Sequence, residues 1–295
     1  MSVQYAHRFL TDEEREIVKK EEKHGGIPEH GMFEFREPEL DWPPEVIREK
    51  VCLGGVDGVC VKSADGGKKA ALVHIHGGGF FGGSPVTGFR LMLAMKQRFG
   101  IDSFSVDYTR TPHKRAPEQI RECAAFCQAV QKLGYEKLLL AGESAGGNLV
   151  ICTTLYLKDQ GLPLPAAVAA SSPVTDMTGL IEKPEKDMFS ESSGELAESY
   201  VGDYEANSPY VSPIYGDFTG FPPLLLQAGT TESLRYDSLY LAKMLEETDC
   251  DCTVSVWEGA PHAIGIDVLD TWYSRNCMEQ IVRFFGEKAE LDQKE

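Results

Sequence analysis

The 295-residue chain contains no long apolar run. Its most apolar stretches, such as "PAAVAA" and "PPLLL", fall far short of the ~20 residues that a membrane-spanning helix requires. It has no basic excess either: 29 Lys and Arg stand against 46 Asp and Glu, a net charge of −17. Nucleic acids and anionic membrane surfaces are recognised by basic patches, so neither is expected as a partner. The opening "MSVQYAHRFLTDEEREIVKKEEK" becomes charged within a dozen positions and lacks the apolar stretch of a signal peptide, so a cytoplasmic protein is expected. The eight cysteines, at 52, 60, 123, 127, 152, 250, 252 and 277, show no paired metal-ligand spacing. In a chain without an export signal they read as reduced core thiols, not a disulfide framework. Internal repeats and low-complexity tracts are also missing. What is present is an ordinary globular composition, 42% hydrophobic, long enough for a substantial core.

The first 47 residues differ from the rest. A charged helical stretch runs from Thr11, a fitting N-cap with acids in the turn behind it, to Lys23, and a Pro- and Gly-rich segment follows. From about residue 48 short apolar runs alternate with longer helical periods. "KVCLGG", "GVCVKS", "AALVHIHGG", "DSFSVDY", "KLLLAGE", "AAVAASSP", "PPLLLQAG" and "CTVSVWEG" read as strands, several apolar throughout, as in strands covered on both faces. Helical stretches fall at 88–99, 117–133, 145–158, 236–247 and 269–286. The class implied is α/β, a mostly parallel sheet with right-handed crossovers. Residues 176–221, acidic and rich in Ser and Pro with a helix expected near 194–204, break this rhythm. They are expected to form a cap insertion between core segments 48–175 and 222–295, with residues 1–47 as its N-terminal part.

"KLLLAGESAGGNLVICTTLYL" carries the strongest chemical signal. Gly142-Glu143-Ser144-Ala145-Gly146 lies between an apolar strand and a long helix, the context in which Gly-x-Ser-x-Gly presents a nucleophile. The motif alone is also a plain small-residue connection; its position favours the catalytic reading. The turn holds Ser144 strained at the sheet edge, and the helix N-terminus adds positive potential there. Upstream, "AALVHIHGGGFFGGS" ends a strand in His76-Gly77-Gly78-Gly79, a run of unobstructed backbone N–H groups. Gly78, Gly79 and Ala145 are the expected oxyanion donors, with Gly77 a further candidate. His74 and His76 share a strand face, but only glycines follow them, so no metal is expected.

"HGGGF" and "GESAGG" together resemble the hormone-sensitive-lipase-like branch of the α/β-hydrolases. "SVDYTRTP", "SPYVSPIYGDFTGFPPLLLQAG" and "WEGAPHAIG" extend the resemblance from about residue 48 to the C-terminus. Residues 1–47 match only as a variable cap. Glu143 stands where that family more often has Asp. The resemblance implies an α/β-hydrolase fold with a helical cap, and a serine carboxylesterase that uses no cofactor.

The order Ser, acid, His leaves His262 as the base, the one histidine downstream of Ser144. In "QAGTTESLRYDS" the acid belongs on the loop directly after the strand. Glu232 lies there and aligns with the family's acid, although that is usually Asp; Asp237 falls in the first turn of the next helix and stays an alternative. The reaction expected is hydrolysis of short-chain acyl esters through an acyl-enzyme. A small-substrate amidase on the same residues is the rival. A non-catalytic ligand-binding receptor is disfavoured, because the receptors that resemble this family lack the working His. Phe80, Phe81, Met188, Phe189, Tyr200 and Tyr204 read mostly as cap core. A homodimer is the oligomer to test.

Overall fold

The computed structural model describes residues 3–23, 37–63, 69–191, 193–266 and 270–293. Among them the strands are β1 Gln4–Arg8, β2 Val46–Leu53, β3 Val56–Ser63, β4 Ala70–Ile75, β5 Asp102–Val106, β6 Lys137–Glu143, β7 Ala167–Ser171, β8 Leu224–Gly229 and β9 Cys252–Trp257. The helices are α1 Asp12–Lys23, α2 Phe89–Phe99, α3 Glu118–Gln131, α4 Ala145–Asp159, α5 Met188–Glu191, α6 Ser193–Val201, α7 Arg235–Leu245 and α8 Trp272–Lys288. All eight apolar runs became strands. β4, β5, β7 and β8 are buried at every position and β6 at every position but Lys137, as expected in a sheet covered on both faces.

The strands form one sheet in the order β1-β9-β8-β7-β6-β4-β5-β3-β2. β3 runs antiparallel to both β2 and β5, and the remaining pairs are parallel. Helices α3, α4 and α7 cover one face, with Ile120, Phe126, Leu149 and Leu241 in a single cluster. Helices α2 and α8 cover the other with Leu91, Met92, Ile281 and Phe285. On α7, Leu241 and Leu245 are buried, whereas Tyr240 and Met244 face outward.

The N-terminal segment departs from expectation. Residues 1–47 read as part of a cap, yet Gln4–Arg8 adds a parallel edge strand to β9, in register with Thr253–Trp257. Every residue of β1 is exposed, so no alternation of apolar and polar positions announces it. Thr11 does cap α1: its hydroxyl accepts from Glu14 N at 3.2 Å while the Glu14 carboxylate accepts from Thr11 N at 2.7 Å.

Residues 176–221 carry α5, α6 and a 3-10 turn at Pro213–Tyr215. The segment is tied down over the C-terminal ends of the strands. Tyr200 stacks on Phe80 with ring centroids 3.6 Å apart, and Tyr200 O accepts from Ala116 N. A strap before α5 is pinned to α7 and the loop leading into it. Lys183 pairs with Asp237 at 2.6 Å, Glu185 pairs with Arg235, and Asp187 accepts from both Ser233 N and Ser233 Oγ.

Candidate active site

Ser144 ends the turn between β6 and α4 with φ 55° and ψ −120°. For a residue with a side chain this conformation is strained, and the neighbouring glycines show what enforces it. A Cβ on Gly146 would come within 2.0 Å of Ile75 O, and one on Gly142 within 2.5 Å of Gly146 O. The turn therefore packs directly on the end of β4. Ser144 N donates to Ser171 O of β7, and Ser144 O accepts from Asn148 N, opening α4.

The glycine loop after β4 is held from several sides. Phe81 N and Gly82 N both donate to Gly78 O, and Gly78 and Gly79 have φ of +114° and +59°. Arg110 donates to Gly82 O and Gly83 O while pairing with Asp107. His76 does not face the reaction. Its Nδ1 sits 2.8 Å from Gly77 O, and burial pushes the imidazole down to about 3, so it is neutral. Gly77 is removed as an oxyanion donor because its N–H donates to Glu143 Oε1 at 2.7 Å. Gly78, Gly79 and Ala145 remain the candidate donors; the first N–H groups of α4 have no intrahelical acceptor.

The candidate acid and base meet. Glu232, on the loop after β8, places Oε2 at 2.5 Å from His262 Nδ1. Its Oε1 accepts from Gly229 N at 2.8 Å and from Ser172 Oγ at 2.6 Å. Both side chains are buried, which strengthens the bond and fixes its geometry. Asp237 is engaged elsewhere. It lies in the first turn of α7 as expected, but it is wholly buried instead of facing solvent at the helix end. Oδ1 accepts from Thr175 N and Oδ2 faces the Lys183 ammonium. Burial pushes its carboxyl up, and Lys183 pulls it back.

Sequence reasoning missed Ser172. This residue follows β7 with φ 50°; its hydroxyl donates to Glu232 and accepts from Ala263 N, next to His262. It thus ties the acid loop to the histidine loop. The only signal was a serine just past a strand end, in "AASSPV". Phe189 of α5 lies over the imidazole of His262, centroids 4.0 Å apart. Phe80 and Tyr200 are core, Tyr204 packs against the core, and Phe81 is exposed. The side chain of Met188 lies outside the described residues.

A strained serine between strand and helix, a glycine loop on the adjacent strand and a Glu–His pair two and three strands along all lie at one sheet edge. The family described as alpha/beta hydrolase fold matches residues 72–265. The chain belongs to the α/β-hydrolase family. Among the relatives of this hydrolase, the acetyl-hydrolase of Streptomyces hygroscopicus is 29% identical over 194 residues, 63% of this chain and 65% of that protein. The chain thus spans slightly less than two-thirds of that relative's length. The esterase of Acinetobacter venetianus is 30% identical over 252 residues, 82% of each chain. The crystal structure of a hormone-sensitive lipase from a metagenome library superposes with a TM-score of 0.75 at 25% identity, covering 85% of this chain and 88% of that one. This α/β-hydrolase therefore falls on the hormone-sensitive-lipase-like branch. No helix among the described residues is long and apolar enough to cross a membrane.

Proposed function

We propose that this α/β-hydrolase is a serine carboxylesterase acting on short-chain acyl esters. The observation that carries the reading is the buried Glu232–His262 hydrogen bond, at the sheet edge where the strained turn presents Ser144. With Glu232 accepting from Nδ1–H, the imidazole keeps Nε2 as its basic nitrogen. Ser144 Oγ attacks the ester carbonyl, and His262 Nε2 takes the hydroxyl proton. The tetrahedral oxyanion is held by the N–H groups of Gly78, Gly79 and Ala145. Collapse breaks the bond to the alcohol oxygen, which leaves with the proton returned from His262. Water then attacks the acyl-enzyme by the same route, releasing the acid and restoring Ser144. No metal or organic cofactor takes part in these steps.

The relatives named acetyl-hydrolase and esterase support both the ester bond and a short acyl group. Residues 176–221 serve as a cap over the site in this reading, a role supported by the contact of Phe189 with His262. The eight free cysteines support a reducing, cytoplasmic setting. The test is covalent labelling by a fluorophosphonate followed by turnover of p-nitrophenyl esters from acetate to palmitate, with p-nitroanilides alongside. Stoichiometric labelling that Ser144→Ala abolishes, with turnover highest on the short esters, is expected. Turnover by Ser144→Ala at the wild-type rate, or preference for the anilides, overturns the assignment.

A further inference from the structure

β4 carries a histidine that the ester-hydrolysis steps leave unused. His74 is wholly buried, with Nδ1 2.8 Å from Ser105 Oγ on β5 and Nε2 2.9 Å from Glu143 Oε2. The other Glu143 oxygen accepts Gly77 N–H at 2.7 Å. One tautomer satisfies the whole row: the hydroxyl of Ser105 donates to Nδ1, and Nε2–H donates to Glu143. The ring has no room to turn away, since a Cβ on Gly88 would lie 2.3 Å from its Nδ1.

We propose that His74 is a positioning residue for the oxyanion loop, acting through Glu143. This inference rests on the serine-esterase reading above. Glu143 precedes the nucleophile, so its backbone is fixed by β6, and its carboxylate reaches across to the first residue of the glycine loop. That loop is close enough for the contact to matter: a Cβ on Gly77 would lie 2.7 Å from Glu143 O. Arg110 holds the far end of the loop at Gly82 O and Gly83 O, and the Glu143 carboxylate holds its near end at Gly77 N–H, with the positive-φ glycines 78 and 79 between the two anchors. A carboxylate held at one oxygen only can rotate about its side-chain torsions. His74 holds the second oxygen and so fixes the first on Gly77 N–H. The residues after Gly77 supply the proposed oxyanion donors, which must be placed within about 0.5 Å to be useful.

The test compares His74→Phe, which fills the site without a donor, with His74→Gln, which restores an N–H toward Glu143, and with Ser105→Ala. Competent sites are counted by end-point phosphorylation with diethyl p-nitrophenyl phosphate, and kcat and KM are measured on p-nitrophenyl butyrate. Affinity for a trifluoromethyl ketone, whose adduct with serine carries an oxyanion, is measured in parallel. His74→Phe is expected to lower kcat per site about 10- to 100-fold with little change in KM, and to weaken the ketone by the same factor. His74→Gln recovers most of both, and Ser105→Ala shows a smaller loss in the same direction, which keeps the test decisive if His74→Phe does not fold. Wild-type kcat per site in His74→Phe, or in Ser105→Ala where His74→Phe yields no sites, overturns the proposal, as does a fall in kcat without a matching loss of ketone affinity. A wild-type enzyme that neither phosphorylates nor turns over the ester is a different result, the failure of the esterase reading itself.

Discussion

Glu232→Gln separates the two carboxylates that the sequence offers as the acid. The substitution preserves length and shape. Its amide oxygen can still accept from Gly229 N and Ser172 Oγ, the two donors now 2.8 and 2.6 Å from Oε1. The amide nitrogen then faces His262 Nδ1, where the carboxylate oxygen sat at 2.5 Å. Two donors cannot share that contact, so the imidazole must present Nδ1 as acceptor and carry its proton on Nε2. It is then the wrong tautomer to take the proton of Ser144. A change of this kind lowers kcat about ten-thousand-fold, or about 5.4 kcal/mol of transition-state stabilisation. Asp237→Asn has the opposite signature. It leaves the Glu232–His262 pair intact but strands the Lys183 ammonium, whose side chain is only 10% exposed. Loss of one partner from such a pair costs about 3–5 kcal/mol of stability, with kcat within a few-fold of wild type at temperatures where the variant is folded. The assay is kcat on p-nitrophenyl acetate beside a thermal melt for each variant. If Asp237→Asn loses activity ten-thousand-fold while Glu232→Gln stays within tenfold of wild type, the assignment of the acid is refuted.

Three further outcomes are expected. Ser172→Ala removes the hydroxyl that links Glu232 to Ala263 N, leaving a buried N–H unpaired; a loss of about 1–3 kcal/mol in denaturant titration is expected together with a lower kcat, and unchanged values of both would contradict the linking role. Gly146→Ala drives a methyl into Ile75 O, which cannot retreat without distorting β4, so more than the ~1–3 kcal/mol of ordinary overpacking should be lost; a soluble variant with a wild-type melt would refute the contact. Asp187 adds a pH dependence. Burial opposes its ionisation, but hydrogen bonds from Ser233 and Ser190 outweigh that and hold its carboxyl below the usual range. Its folded-state pKa therefore lies below the unfolded value, so its contribution is complete above the ordinary carboxylate range and is lost as pH falls through the lower folded value. Cleavage of the 182–205 region by pepsin should rise as pH falls through that window, and Asp187→Asn should flatten the rise.

Much of this was legible because local chemistry and global fold agree. Eight short apolar runs marked β2 to β9, the clearest of them in inner strands that bury both faces. Gly142 and Gly146, which flank Ser144, were legible for a steric reason: only hydrogen fits where the turn meets β4. Strand β1 was not legible, because an edge strand exposed at every residue leaves no pattern in its side chains. Sequence by itself therefore determined the fold class, the nucleophile candidate, the histidine and the short interval that holds the acid. Only the tertiary structure paired Glu232 with His262 and Asp237 with Lys183, spent the Gly77 N–H on Glu143, and brought Ser172 and Phe189 to the histidine. Each of those outcomes depends on which partner a polar or aromatic group meets across 30 to 91 positions of chain, and spacing along the chain carries no record of such meetings.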